Sequence, residues 1–479
     1  MNKSFIRYVS LMTIGIESIF LIISGIVGLL YKENVCVAYF ICAVIYGIIG
    51  LINYKIKPKT SEYSAKDGFA CAALCWVVLS VFGAIPLYIT KDIPNYIDAL
   101  FEVVSGFTTT GASILNNVES LSRCSLFWRS FTHWIGGMGI LVFILAIVPM
   151  AGGYGIHLLK AESTGPTIGK VESKIGDTAR ILYQLYIGLT LLMVVALLCA
   201  RVNLFESFTL AFATAGTGGF AIYSNSIAGY SSVVKIIIAV FALLFGVSFN
   251  IYYLIYIKKI KDAFKSEELK IYFGIVLIST ILIFINIIGT YASVFGAFVD
   301  SFFQVASIVT STGFSTCDFD LWPEFSKTIL VILMFIGACA GSTGGGLKVS
   351  RVAIMFKDAI NNIRHYFSPR TIKQIRFEGK NVEKENIESI KSYFVIFALV
   401  FVLSLIIISL NGYDFTTNFT GVLTCINNIG PGLNKLGPTC NFGEFSALSK
   451  FVFMFDMLAG RLEFIPMLVV LSPFIIRRK

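Results

Sequence analysis

The sequence predicts an all-α polytopic membrane protein: an N-terminal two-helix hairpin, then four helix–pore loop–helix repeats around a pseudo-four-fold pore. Three observations predict it. The 479-residue chain is 56% hydrophobic and only 14% charged, with a mean hydropathy of +0.81, which is too apolar for a soluble fold. Apolar runs of about 18 residues or more recur along its whole length, and each can cross a hydrocarbon core roughly 30 Å thick as a helix. Four short stretches also say nearly the same thing: Ser105-Gly106-Phe107-Thr108-Thr109-Thr110-Gly111, Ala213-Thr214-Ala215-Gly216-Thr217-Gly218-Gly219-Phe220, Val309-Thr310-Ser311-Thr312-Gly313-Phe314-Ser315-Thr316 and Thr424-Cys425-Ile426-Asn427-Asn428-Ile429-Gly430-Pro431-Gly432. They recur at intervals of roughly 100 residues, each between two long apolar segments.

Taken in order, residues 1–60 form the hairpin, with spans near 8–30 and 35–54. The first run has a basic start but no small-residue cleavage site, so it reads as an anchor. Repeat one, 61–160, has a span near 67–89, a short segment 97–109 and a span near 127–150. Repeat two, 161–262, has 178–200, 204–216 and 231–257. Repeat three, 263–366, has 271–294, 298–311 and a long segment from about 327 that holds an intramembrane gating loop. Repeat four, 367–479, has 391–410, 414–427 and 447–475. The short segments cannot cross a bilayer, so each enters and leaves by one face. Irregular backbone at that depth is tolerated only where it lines water or protein, which makes the loops after them pore material. Asp98, Glu206, Asp300 and Asp414 precede the four loops at similar offsets and read as helix N-caps.

The net charge of +10 does not point to nucleic acid. Basic clusters (Lys55, Lys57, Lys59; Lys258, Lys259, Lys261, Lys265, Lys270; Arg364, Arg370, Lys373, Arg376, Lys380; Arg477, Arg478, Lys479) flank apolar runs at every second boundary. That is the positive-inside pattern, and it places both termini in the cytoplasm. The cysteines lack metal-ligand spacing; Cys71 and Cys75 sit four apart inside an apolar helix and read as buried thiols. Two longer cytoplasmic stretches, about 151–177 and 357–390, read either as partner-docking surfaces or as solvated linkers.

The chemistry-bearing residues fall in two groups. Thr109, Thr110 and Gly111, Gly216, Thr217 and Gly218, Ser311, Thr312 and Gly313, and Asn428, Ile429 and Gly430 are small or polar. A selectivity filter must turn backbone carbonyls toward dehydrated ions, and glycine permits the dihedrals this needs. The central glycines are read as Gly111, Gly218, Gly313 and Gly430. The second group is Gly341, Ser342, Thr343, Gly344, Gly345, Gly346 and Lys348, with Arg461. The glycine-rich run follows about 12 apolar residues, so it breaks a helix roughly 18 Å into the membrane. A broken helix there reads as a gate or hinge, and only repeat three is expected to break its second span. Its likeness to a phosphate-binding loop is misleading: it lacks the Gly-Lys-Ser/Thr ending and follows a membrane helix instead of a strand. Arg461, deep in the last span, is read as pointing into the pore near this loop, with capture by buried helix-end carbonyls as the alternative. Glu463, two residues on, is not expected to share its face. Trp134 and the glycines at 136, 137 and 139 read as close packing, and His133 as a packed or hydrogen-bonded residue. With only 3 histidines and no clustered acids, a membrane-embedded transferase is disfavoured.

His133-Trp134-Ile135-Gly136-Gly137-Met138-Gly139, Ala161-Glu162-Ser163-Thr164-Gly165-Pro166, Ala340-Gly341-Ser342-Thr343-Gly344-Gly345-Gly346-Leu347-Lys348, Asn427-Asn428-Ile429-Gly430-Pro431-Gly432 and Gly460-Arg461-Leu462-Glu463 together resemble the Trk/Ktr/HKT superfamily of cation transporters, most closely its Trk-type potassium uptake membrane subunit. The resemblance runs from about residue 60 to the C-terminus, and the extra hairpin is typical of that type. It implies potassium as the transported ion bound at the filter residues, no cofactor in this chain, and a homodimer in the inner membrane of a prokaryote. It also implies regulation by a cytosolic ring of nucleotide-binding subunits. In this superfamily a serine in place of the first filter glycine goes with sodium permeation, and Gly111 follows the potassium-selective pattern. Asn428-Ile429-Gly430 departs from the Thr-Gly theme in a way usual for the Trk type. Channel-like uptake is the leading expectation, and symport coupled to H⁺ or Na⁺ the alternative.

Overall fold

The computed structural model describes residues 2–56, 65–139, 175–368 and 374–471. The Ala161–Pro166 motif, the end of the second span of unit one and the terminal basic cluster lie outside them.

Helices Lys3–Leu30 and Cys36–Lys55 form the hairpin. Gly15 and Gly50 let them meet: a Cβ added to either would lie within 2.7 Å of the other's Cα. Close backbone approach through small residues is how membrane helices gain packing without a hydrophobic drive. Tyr46 Oη donates to Phe82 O (2.8 Å) and Asn53 Nδ2 to Tyr8 O (2.8 Å), so the hairpin's polar groups are satisfied inside the apolar layer.

The four units follow. Their first spans are Ala65–Ile89, Ile175–Cys199, Glu267–Ile287 and Lys384–Ser409. Their short helices are Tyr96–Phe107, Leu204–Ala215, Val294–Val309 and Phe415–Ile426, with 12, 12, 16 and 12 residues. At 1.5 Å per residue most reach about 18 Å, a little over half of the hydrocarbon layer. Among the described residues, six helices are long and apolar enough to cross a membrane. The burial pattern is that of a protein in lipid: Ile285, Leu399 and Leu403 are exposed on outer helices, while Thr108, Thr214, Thr310 and Thr424 are fully buried at the centre. The chain is a multi-pass membrane protein.

Two expectations need correction here. The caps of the short helices are Asn95, Asn203, Ser293 and Asp414, whose side chains accept from Ile97 N, Glu206 N, Gly296 N and Thr417 N. Of the four predicted acids only Asp414 is a cap. Asp98 and Glu206 sit in the first turn, where they complement the helix dipole, and Asp300 lies beyond it. Asp98 instead pairs with Lys450 Nζ of unit four at 2.6 Å, and Glu206 accepts from the Tyr223 and Tyr230 hydroxyls, each at 2.8 Å.

The broken second span is also not confined to unit three. Unit one's helix Arg123–Gly137 stops at its glycine pair. In unit two, Ser232–Phe245 and Phe249–Tyr256 meet at an 84° bend at Gly246. Unit three's Glu324–Phe335 gives way to the glycine-rich loop and then helix Val349–Phe367. Unit four's Ala447–Arg461 is separated from Ile465–Leu471 by Leu462, Glu463 and Phe464, the last two at positive φ. Each break falls at or within two residues of a glycine (Gly137, Gly246, Gly337 or Gly460), where the helix is weakest.

The 357–390 stretch is not simply a solvated linker. Strands Arg376–Phe377 and Lys380–Asn381 form a small hairpin. Its Phe377 is 1% exposed and packs with Ile354 and Ile390 in a second hydrophobic cluster.

Candidate functional site

Each short helix ends in a tight elbow of one design. Its first residue, Thr109, Thr217, Ser311 or Asn428, is left-handed at φ +56, +53, +57 or +54°. Two residues later a glycine is left-handed as well: Gly111 (+79°), Gly219 (+77°), Gly313 (+80°) or Gly430 (+98°). A non-glycine residue in this region costs about 1–2 kcal/mol and persists where the surroundings enforce it. Here the residue between the two is tied back to the helix: Thr110 N donates to Ser105 O, Gly218 N to Ala213 O, Thr312 N to Ser307 O and Ile429 N to Thr424 O, all at 2.7–2.9 Å.

This geometry moves the unit-two register by one residue. The counterpart of Gly111, Gly313 and Gly430 is Gly219, while Gly218 corresponds to Thr110, Thr312 and Ile429. A run of three glycines around Thr217 concealed the offset, because any of them could supply the positive φ. Gly218 is small for another reason: a Cβ there would lie 2.3 Å from the His133 ring.

The elbows contact one another in cyclic order. A Cβ on Gly111 would lie 2.0 Å from Gly218 O, on Gly219 2.0 Å from Thr312 O, on Gly313 2.0 Å from Ile429 O, and on Gly430 2.7 Å from Thr110 O. Each left-handed glycine therefore abuts the middle carbonyl of the next unit, and the fourth returns to the first. The contacts join seven of the twelve predicted loop residues, Thr110, Gly111, Gly218, Thr312, Gly313, Ile429 and Gly430; Thr109, Thr217, Ser311 and Asn428 are the left-handed first residues of the same elbows, and Gly216 lies at the end of its helix and packs against His133.

Two polar ties behind the elbows hold units one and two. Phe220 N donates to His133 Nε2 (3.2 Å), which leaves the proton on Nδ1, and Nδ1 donates to Gly106 O (2.8 Å). His133 is thus a neutral spacer. Arg129 and Glu102 form a buried pair at 2.6 Å, 3% and 0% exposed. Glu102 also accepts from Ile114 N (3.0 Å) and Ser113 Oγ (2.9 Å), and the Arg129 guanidinium stacks 4.1 Å from the centre of the Phe220 ring. Removing one partner of such a pair strands a buried charge, which costs about 3–5 kcal/mol, whereas replacing both with apolar groups is often neutral. Glu102→Ala is therefore expected to lower the melting temperature in detergent sharply, and Glu102→Met/Arg129→Met much less. Equal losses in the two proteins would refute this account.

The glycine-rich loop lies beneath the elbows. Gly337 N donates to Leu347 O (2.6 Å) and Val349 N to Ala338 O (3.2 Å), closing its neck. Gly345 N donates to Ser311 Oγ (2.6 Å), and a Cβ on Gly345 would sit 2.6 Å from Asn427 O, so the loop touches the elbows of units three and four. Ser342 Oγ donates to Cys339 O (2.6 Å), Thr343 Oγ1 to Phe245 O (3.2 Å), and the buried Lys348 Nζ to Gly344 O. Gly341, left-handed at φ +70°, accepts from Phe249 N (2.9 Å) at the unit-two bend.

Arg461 is held by backbone carbonyls and lies against the loop. Nη1 donates to Thr343 O in the loop (2.7 Å), and Nη2 donates to Gly136 O and Gly137 O at the end of the unit-one helix (2.7 Å each). The glycines at 136 and 137 therefore do more than pack. Glu463 pairs with Arg351, whose guanidinium lies 4.2 Å from the centre of the Tyr393 ring. A further carboxylate, Glu268, accepts from Ala340 N (2.8 Å) and Ser350 N (3.1 Å), one on each side of the loop. Sequence reasoning missed Glu102, Arg129, Glu268 and Arg351. A search for ionisable residues inside the apolar segments, short ones included, finds Glu102 and Arg129, whereas Glu268 looks like an ordinary first-turn acid.

The described residues hold no cluster of His, Cys, Asp or Glu able to bind a metal ion. The family described as TrkH, cation transport protein, matches residues 32–475. The chain belongs to the TrkH family. It is 34% identical over 465 residues, 95% of each chain, to the Trk system potassium uptake protein TrkH of Escherichia coli strain K12. It is 32% identical over 486 residues, 99% of each, to TrkG of the same organism. Its fold superposes on the crystal structure of the potassium transporter TrkH from Vibrio parahaemolyticus with a TM-score of 0.88 at 30% identity, over 99% of both chains. This TrkH-family protein thus has the fold class expected of it.

Proposed function

We propose that this TrkH-family protein carries potassium across the cytoplasmic membrane of a prokaryote through the ring of elbows, acting as a pseudo-four-fold pore and selectivity filter. The observation that carries the reading is the cyclic contact of four left-handed glycines with four middle carbonyls. Such a ring can replace part of an ion's hydration shell with backbone oxygens at no cost in side-chain ordering. The potassium uptake named for the E. coli relatives agrees with it.

The loop 341–346 and Arg461 act as the gate. A guanidinium beneath the ring repels cations, and its three carbonyl partners hold it there. The distribution of basic residues among the loops supports a cytoplasmic location for both termini. The resemblance supports a homodimer regulated by a cytosolic nucleotide-binding ring; the chain uses no cofactor of its own and is not an enzyme.

A second reading, symport with H⁺ or Na⁺, has one specific support. Both carboxyl oxygens of Glu17 and one of Asp456 are buried without a hydrogen-bond partner among the described residues, and such groups are candidate proton carriers. Rubidium flux into liposomes, with sodium and protons varied separately, separates the two. Flux that follows the potassium gradient alone supports the channel-like reading, and flux driven uphill by a proton or sodium gradient refutes it.

A further inference from the structure

The glycine-rich loop has no regular structure of its own, yet both of its stems are pinned by one carboxylate. Glu268 lies in the first turn of helix Glu267–Ile287, is 8% exposed, and accepts from Ala340 N and Ser350 N at 2.8 and 3.1 Å. One oxygen, Oε1, takes both bonds, so the two stems cannot separate without breaking one of them. Hydrogen bonds to an ionised acceptor are the strong ones.

Glu268 is itself anchored from the other side. The hairpin 376–381 turns through Glu378 and Gly379, both left-handed at φ +52 and +71°. Such two-residue turns favour Asn, Asp or Gly at the first position, and glutamate there is strained. Its carboxylate is engaged: Oε1 accepts from Glu268 N (2.9 Å) and Ser266 Oγ (2.8 Å) at the start of that same helix. Lys357, on the helix that leaves the loop, donates to Arg376 O (2.9 Å) and pairs with Glu267, and its ammonium lies 5.3 Å from the centre of the Phe377 ring. An unbroken series of named contacts therefore runs from the surface hairpin through Glu378, the backbone and side chain of Glu268, and both stems of the loop.

We infer that Glu268 is a positioning residue that seats the 341–346 loop, and that the Glu378 hairpin holds Glu268 in place, so a change imposed on the hairpin at the basic face alters the seating of the loop. The inference rests on the reading of that loop as a gate and adds the element through which the gate is reached.

The test combines hydrogen-exchange mass spectrometry with rubidium flux on the full chain in lipid. Glu268→Gln weakens the acceptor, Glu268→Asp keeps the charge, Glu378→Ala acts from the exposed turn without touching the loop, and Lys380→Ala on the same hairpin is the control. Expected are about tenfold faster exchange of residues 338–350 in Glu268→Gln and in Glu378→Ala, an intermediate effect in Glu268→Asp, and none in Lys380→Ala. Basal flux rises with exchange, while the potassium-to-sodium ratio and the melting temperature stay put. Faster exchange in Glu268→Gln with none in Glu378→Ala overturns the role of the hairpin, and no change in either overturns the whole inference. Arg461→Ala separates the two levels. If it raises flux while the Glu268 and Glu378 variants do not, this inference fails and the gate stands. If those variants speed exchange but neither they nor Arg461→Ala change flux, the gate reading fails instead.

Discussion

Gly111→Ser is expected to cut the ratio of potassium to sodium flux by at least about tenfold, which corresponds to about 1.4 kcal/mol of lost discrimination. Gly111 is left-handed at φ +79°, and a Cβ at its position falls 2.0 Å from Gly218 O. Real Cβ atoms essentially never come within 3.0 Å of another heavy atom, so the oxygen must retreat by about 1 Å or the elbow must turn over. Either change alters the spacing of carbonyls on which the choice between two alkali ions depends. Rubidium and sodium fluxes measured on the same liposomes check it, and an unchanged ratio would remove the elbows from the selectivity step. Gly219→Ser should behave alike, because it makes the same contact with Thr312 O. Gly218 backs onto His133 instead, so its replacement acts by displacing the imidazole.

Arg461→Ala should raise flux in the absence of any cytosolic partner by about tenfold or more, with a modest loss of thermal stability. The substitution removes the cation from beneath the ring and frees Thr343 O, Gly136 O and Gly137 O together. Buried carbonyls left unpaired cost about 1–3 kcal/mol each, less where water reaches them. Arg461→Lys keeps the charge but not the planar fork that spans three acceptors, and should fall between. Flux that is unchanged or lost in Arg461→Ala, with a large drop in melting temperature, would make Arg461 a tie between units one, three and four and nothing more.

The architecture was legible because hydropathy and repeat length depend on many residues at once. Short apolar segments of a dozen residues, followed by Thr-Gly or Asn-Ile-Gly and a second span, leave few alternatives in a bilayer. What escaped was set by single atoms. Three glycines around Thr217 are equivalent on paper, and only the folded backbone shows that the left-handed one is Gly219, with Gly218 N tied back to Ala213 O. The helix caps were misplaced onto Asp98, Glu206 and Asp300 because charge draws the eye, whereas Asn95, Asn203 and Ser293 reach the free backbone N–H groups. Breaks in the second spans of units two and four were hidden because one glycine in an apolar run tells little, while the many glycines at 341–346 spoke plainly. Glu268 and Arg351 were missed because their partners are distant in sequence.

The contact of each elbow with the next has a handedness. Gly111 leans on the oxygen of unit two, Gly219 on unit three, Gly313 on unit four and Gly430 on unit one, and none leans the other way. A lesion in one quadrant is therefore felt first by the neighbour downstream in that circuit, and compensation for it belongs there. Because one chain supplies all four quadrants, each can change by itself, as Asn428 and Ile429 have departed from the Thr-Gly theme. Every such change still has to keep its oxygen clear of the glycine behind it. The ring behaves as four unequal stones of an arch, in which no stone sets its own position.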